Sequence, residues 1–149
     1  QQTMKLLGSR FPVNLYTGSN TKGLPVINGG TVKTLTEMPL IFHYSKINLN
    51  ITSKSIRSGL PLRIFDILGC GGFLLTNYQP ELSNYFTPGY DLVCYSSEDE
   101  LLEKTEYYLS HEKERIEIAQ NGLQTVTQYH NYPERLLQII SMAYGITKG

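Results

Sequence analysis

The 149-residue sequence predicts an α/β domain with a mainly parallel sheet, flanking helices and a helical C-terminal third. Three observations carry that reading. Short apolar segments at Val13–Tyr16, Ile47–Ile51, Phe73–Leu75 and Leu92–Tyr95 alternate with helix-like stretches. From Ser97 onward three helical patterns follow one another. Between these regions, Ser58–Thr76 reads as one unit: loop, short helix, glycine turn and buried strand.

In chain order, Gln1–Arg10 has helical character through Met4, Leu6 and Leu7, and Val13–Tyr16 follows as a strand closed by Thr17-Gly18. Val26–Val32 admits two readings. Asn28-Gly29 between apolar residues is a hairpin signal. The preferred alternative starts a short strand at Gly30-Thr31-Val32 that leads to a helix, because Thr36-Glu37-Met38-Pro39 is a good helix start with Thr36 as N-cap. That helix carries Leu40, Ile41 and Tyr44 and ends near Lys46. Ile47–Ile51 alternates apolar and polar residues, the signature of a strand.

Pro61 suits a first helical turn, where its missing N–H goes unused. Leu62, Phe65 and Leu68, flanked by Ile64 and Ile67, form an apolar stripe at helical spacing. Gly69, Gly71 and Gly72 stop the helix, and Phe73–Leu75 is apolar enough for a central strand. A short helical turn is expected at Pro80–Tyr85. Ser97 and Glu100 form a capping box, and Leu101, Leu102, Thr105, Tyr108 and Leu109 line one face. A second helix carries Ile116, Ala119, Leu123 and Val126, and a third starts at Pro133 and buries Leu136, Leu137 and Ile140.

The composition, 40% hydrophobic and 17% charged, suits one globular domain with a full core. No apolar run approaches the roughly 20 residues that cross a bilayer, so no transmembrane segment is expected. The N-terminus lacks a basic-then-apolar export pattern. Cys70 and Cys94, without paired spacing, read as buried free thiols in a reducing compartment, and a cytoplasmic location is expected. The zero net charge hides an asymmetry. Residues 1–65 hold eight Lys and Arg against Glu37 alone, whereas residues 66–149 hold five against twelve acids. The basic residues are scattered, without a dense run or interleaved aromatics. That pattern argues against nucleic acid and for a small phosphate-bearing ligand.

Arg63 and Asp66, three apart on one helix face, are the polar residues of the central unit. They could simply pair with each other. The sharper reading uses the helix start, where free N–H groups and the dipole favour an anion. Arg63 would bind that anion and Asp66 would accept hydrogen bonds from sugar hydroxyls. In parallel sheets ligands bind beyond the carboxyl ends of the strands, and this loop follows the strand Ile47–Ile51. No role is expected for His43, and His111 and His130 read as helix-end caps. No combination of His, Cys and carboxylate has metal-ligand spacing, and no cofactor is expected. A dehydrogenase is disfavoured, because no Gly-x-Gly-x-x-Gly follows a strand with an acid about 20 residues on.

Ser45–Ile51 followed by Gly59–Thr76 resembles the C-terminal domain of GT-B glycosyltransferases, with the spore-maturation CgeB-like enzymes the nearest subgroup. Pro88-Gly89, Tyr107-Tyr108-Leu109 and His130–Arg135 fit the same subgroup. The resemblance implies a Rossmann-like domain that binds a nucleotide-diphosphate sugar and faces an N-terminal acceptor domain. Residues 1–149 are then expected to be a single domain, the donor-binding half, with its N-terminal partner domain absent. Asp66, in Asp66-Ile67-Leu68-Gly69-Cys70-Gly71, aligns with the family glutamate that holds the nucleotide ribose. The family's other glutamate aligns with Ser58, which cannot act as a carboxylate. Gly59, Pro61, Leu62 and Arg63 become donor-site residues, with Arg63 for the diphosphate, and Thr31 and Val32, beside Lys33, would contact the base. Catalytic residues are not assigned, and the fragment alone is expected to be inactive. The alternative is a non-catalytic interaction module that keeps the fold. A first strand missing between Val13–Tyr16 and Ile47–Ile51 would force those two to pair directly or stay open, so a homo-oligomer is expected.

Overall fold

The computed structural model describes residues 2–52, 59–131, 133, 136 and 139. The chain opens with α1 (Gln2–Gly8), β1 (Asn14–Leu15), β2 (Ile27–Asn28), α2 (Met38–Tyr44) and β3 (Asn48–Asn50). α3 (Leu62–Gly69), β4 (Leu74–Asn77) and a 3₁₀ turn at Pro80–Asn84 follow, then β5 (Val93–Tyr95), α4 (Glu98–Ser110) and α5 (Glu112–Tyr129). The main sheet is parallel in the order β3-β4-β5, with Asn50 opposite Thr76 and Thr76 opposite Cys94. β1 and β2 pair in parallel as a separate two-stranded sheet. The expected α/β class with parallel sheets and flanking helices is therefore present.

Alternation along β4 and β5 divides the core in two. Phe73, Leu75, Val93 and Tyr95 pack with Leu101, Leu102, Tyr108, Ile118 and Ala119, and Leu7 of α1 joins them. Leu74, Leu92 and Cys94 point the other way, onto Ile64, Ile67 and Leu68 of α3 and onto Leu82 and Phe86. Both faces of the sheet are thus covered at β4 and β5, which is why those two strands read as continuous apolar runs. Ser97 caps α4 as expected by accepting from the Glu100 N–H at 3.1 Å, while Glu100 Oε2 reaches back one residue further, to the Ser96 N–H.

Several expectations need correction. Neither reading of Val26–Val32 holds. Ile27 N–H donates to Val13 O at 2.8 Å and Gly29 N–H to Leu15 O at 3.0 Å, so the strand lies earlier and runs parallel to β1. Asn28 Oδ1 then accepts the Gly30 N–H, and the turn it forms leaves Thr31 and Val32 in a loop. Thr36 is not the N-cap of α2. Glu37 holds that place, and its Oε2 accepts the Lys33 N–H at 2.7 Å instead of capping the helix. β1 and β3 form no ladder with each other among the described residues.

Helix faces shift as well. In α3 the buried residues are Ile64, Ile67 and Leu68, while Leu62 is 78% exposed. In α5 Arg115, Ile118, Ala119 and Gly122 face inward, leaving Ile116 and Leu123 exposed. Gly122 dictates this rotation, since a Cβ there would lie 2.4 Å from Asp91 O. Arg115 is buried because Nη1 donates to Tyr108 O at 2.6 Å, closing the end of α4. Leu136, expected in the core, is 59% exposed. Leu137 and Ile140 lie outside the described residues.

Candidate functional site

The carboxyl edge of the β3-β4-β5 sheet gathers several of the buried polar residues, Asn50, Thr52, Thr76 and Gln79. Asn50 closes β3, and Thr76 and Asn77 close β4. Asn50 Nδ2 donates to Thr52 Oγ1 at 3.1 Å and to Thr76 Oγ1 at 3.0 Å. Asn77 takes the Thr52 N–H on Oδ1 at 2.7 Å and donates from Nδ2 to Thr52 O at 3.3 Å. Asn50, Thr52 and Thr76 are all buried, so these bonds satisfy groups that would otherwise be desolvated without a partner. Gln79, just past this edge, is buried too, and its Oε1 has no hydrogen-bond partner among the described residues.

The alternation of Ile47–Ile51 concealed this arrangement. It reads as a strand without telling which face is enclosed, and in the structure Asn48 and Asn50 are buried while Ile51 is exposed. Asn48 Nδ2 donates to Phe42 O at 2.9 Å and to Phe73 O at 3.2 Å, tying the end of α2 to the sheet. The available signal was the two-residue period Asn48, Asn50, Thr52 running toward a loop, polar on a single strand parity.

α3 opens on the same edge, since it follows a strand of a parallel sheet. Gly59 has φ 87°, in the left-handed region that glycine adopts readily, and is exposed. Pro61 occupies the N-cap position, not the first helical turn, and among the described residues no side chain caps the helix. The Ile64 N–H donates to Pro61 O at 3.0 Å, so among the described residues the Leu62 and Arg63 N–H groups are left for solvent or a ligand. Leu62, Arg63 and Asp66 are exposed on the first two turns. Ser58 lies outside the described residues.

Arg63 and Asp66 do not form the ion pair their spacing allowed among the described residues. The guanidinium turns instead to α2, with Nη1 2.6 Å from Met38 Sδ and Cζ 5.5 Å from the centre of the Phe42 ring. This leaves the Asp66 carboxylate without an intramolecular partner among the described residues. The contact also brings Arg63 to the turn in which Glu37 and Met38 N–H groups both donate to Lys33 O. Thr31 and Val32 lie just ahead of that turn, with Thr31 against Gly18. The structure thus joins Arg63 to the Lys33–Met38 turn, while Thr31 packs elsewhere.

The histidines are structural. His43 Nδ1 lies 2.9 Å from Cys70 O, His111 stacks on Tyr107 with ring centres 3.8 Å apart, and His130 Nε2 lies 3.0 Å from Tyr85 O. Cys70 and Cys94 are free thiols. Burial pushes the Cys94 thiol up to about 11, with Lys104 opposing the shift. Burial and the nearby Asp66 carboxylate raise Cys70 as well. Neither thiol is an activated nucleophile. Among the described residues no helix is long and apolar enough to cross a membrane.

A family model described as glycosyl transferase-like matches residues 2–141. No curated protein sequence matches the chain at a significant level. Among solved structures, HepE of Anabaena in complex with UDP-glucose superposes with a TM-score of 0.76 at 12% identity, over 98% of this chain and 45% of HepE. HepE with UDP and glucose gives 0.74 at 11% identity, over 97% and 44%. The C-terminal domain of the glycosyl transferase group 1 family protein LpcC from Francisella tularensis gives 0.61 at 18% identity, over 74% of this chain and 56% of that one. The chain therefore spans about half the length of these structures, and the likeness is one of fold.

Proposed function

The chain belongs to the glycosyl transferase-like family, and from that premise we propose that it is the donor-binding half of a GT-B glycosyltransferase of the CgeB-like subgroup. Its ligand is a nucleotide-diphosphate sugar, and an N-terminal domain of the same protein supplies the acceptor side. The observation that carries this reading is the start of α3. Among the described residues no side chain caps this helix end, which stands at the sheet's carboxyl edge with Arg63 and an Asp66 without an ion-pair partner exposed beside it. The free N–H groups and the guanidinium suit a diphosphate, and the carboxylate suits a pair of ribose hydroxyls. Gly59 lets the backbone approach the ligand closely. HepE, of the same fold, is known with UDP-glucose bound, which supports a donor of this class.

Calorimetric titration of UDP, GDP and their sugars into the full-length protein tests the reading. Saturable binding is expected, and no heat at millimolar nucleotide overturns it. Asp66→Asn should weaken donor binding by roughly 1–3 kcal/mol, the scale of hydrogen bonds to a charged group, with little change in melting temperature. Lost stability at unchanged affinity would make Asp66 a structural residue. The second reading, an interaction module, draws on the exposed apolar side chains of Leu35, Leu40, Tyr44 and Leu62. It gains ground only if the nucleotide titration is flat.

A further inference from the structure

We propose that Phe42 is a positioning residue for the donor diphosphate, acting through Arg63. The inference rests on the nucleotide-sugar reading and adds to it a residue of α2 whose part is indirect. Arg63 sits in the first turn of α3 with its side chain exposed, where a long cationic chain ordinarily samples many rotamers. Here it is laid on the neighbouring helix. Cζ stands 5.5 Å from the centre of the Phe42 ring, and Nη1 lies 2.6 Å from Met38 Sδ. The ring in turn is fixed to the body of the domain. It packs against the buried cluster that holds Ile64, Ile67 and Leu68 of α3, and the Phe42 carbonyl accepts from the enclosed Asn48 Nδ2 at 2.9 Å. One residue on, His43 Nδ1 lies 2.9 Å from Cys70 O and ties α2 to the far end of α3.

The chemistry of these contacts matters as much as their distances. An aromatic ring attracts a guanidinium through its quadrupole, and a thioether is a weak acceptor, so neither neutralises the charge. The carboxylates nearest in sequence are engaged otherwise. Asp66 forms no ion pair with Arg63 among the described residues, and Glu37, beside Met38, accepts the Lys33 N–H at 2.7 Å. Arg63 is therefore held and still uncompensated. A ring takes up none of the strong N–H donors that a carboxylate would occupy, so the fork stays open to phosphate oxygens. Helical side chains lean toward the N-terminus of their helix, which keeps a guanidinium held in this way beside the turn it belongs to. The unpaired Leu62 and Arg63 N–H groups lie in that same turn. A guanidinium already placed loses less rotamer freedom when a diphosphate arrives, and the freedom not lost appears as affinity.

The test is a double-mutant cycle on the full-length protein: wild type, Phe42→Leu, Arg63→Ala and the two changes together. Each is titrated calorimetrically with UDP or GDP, whichever the wild type binds more tightly, at a temperature where circular dichroism shows it folded. Phe42→Leu should bind the nucleotide about twofold to fivefold more weakly, the strength of an exposed cation–π contact. In the Arg63→Ala background the same change should have no further effect. Stepwise fluorination of the Phe42 ring, by site-specific incorporation, nearly preserves its shape while draining its negative face. It decides the question if Phe42→Leu does not fold. Diphosphate affinity should fall with each added fluorine, and affinity for the matching nucleoside, which carries no phosphate, should show no trend. A loss of equal size in both backgrounds would mark Phe42 as structural and overturn the inference. Wild-type affinity in Phe42→Leu, or in Arg63→Ala, overturns it as well. If wild-type protein binds none of UDP, GDP and their sugars, the donor reading falls and the inference with it. Nucleotide binding that is indifferent to the Phe42 ring leaves the donor reading standing, so the two failures are told apart.

Discussion

Around β4, side chains are buried on both faces of the sheet, with Leu74, Leu75 and Thr76 fully enclosed. Around β1 and β2 the strands are two residues long, and both residues of β2 are exposed, Ile27 at 61%. The first region holds nearly all of the buried apolar residues, whereas residues 2–52 contribute Leu7 alone. Yet the basic excess of the sequence lies in residues 1–65, and the surface turns that meet Arg63 belong to that half. One region supplies rigidity and the other supplies charge and reach. α3 stands at their junction, with Ile64, Ile67 and Leu68 in the core and Arg63 laid on α2. A helix anchored on a packed sheet keeps its geometry while the surface beside it varies.

That contrast breaks if the two regions respond alike to truncation. Leu75→Ala should cost about 2–5 kcal/mol, a fully enclosed side chain leaving a cavity, whereas Ile27→Ala should stay within about 0.5 kcal/mol. Urea midpoints at unchanged slope read both, and equal losses would make the β1–β2 pair part of the core. Gly122→Ala sharpens the contrast at the α5 face. Its new Cβ would meet Asp91 O at 2.4 Å and Leu68 Cδ2 at 2.8 Å. Overpacking of about 1–3 kcal/mol should exceed the helix-propensity gain of up to about 1 kcal/mol, giving a net loss.

The smallest effect concerns the thiols. Cys94 titrates near 11 when folded, above its ordinary value of 9.0, because burial disfavours the thiolate. Its contribution is therefore complete below pH 9 and is lost as pH rises toward about 11. The loss should be of order 1 kcal/mol, read as a falling urea midpoint that Cys94→Ala flattens. Iodoacetamide should label the partly exposed Cys70 before the buried Cys94, and equal rates would contradict the enclosure of β5.

Local signals made much of this fold legible. The Ser97 cap, the Pro80 turn and the strands at Ile47–Ile51 and Leu92–Tyr95 rest on neighbouring residues, and all recur in the structure near their expected bounds. What escaped depends on partners far along the chain. Arg63 could be matched to Asp66 by spacing, but its contacts with Met38 and Phe42 come from the packing of α2 on α3. Alternation revealed β3 without revealing that both of its faces are covered, so Asn48 and Asn50 went unrecognised as buried. The rotation of α5 follows from a close approach between Gly122 and Asp91 that helical periodicity does not encode. Within the candidate site, Gly59, Arg63 and Asp66 were legible because glycine and charge stand out in an apolar unit. Asn77 and Gln79 did not stand out, since a lone amide after a strand is unremarkable until its partner is seen.

The hydrogen bond from Asn50 to Thr76 crosses directly between opposed positions of β3 and β4. Such a bond acts as a key to strand alignment. Sliding β3 by two residues would preserve which face each side chain occupies and would set Asn50 against Leu74 instead. The enclosed amide would then keep only Thr52 Oγ1, and Thr76 Oγ1 would lose its donor, at about 1–3 kcal/mol for each group left unsatisfied. A purely apolar pair of strands would tolerate that slip far better, because one aliphatic contact replaces another. A three-residue strand with few backbone bonds to choose among alignments thus draws its single register from a polar pair hidden inside it.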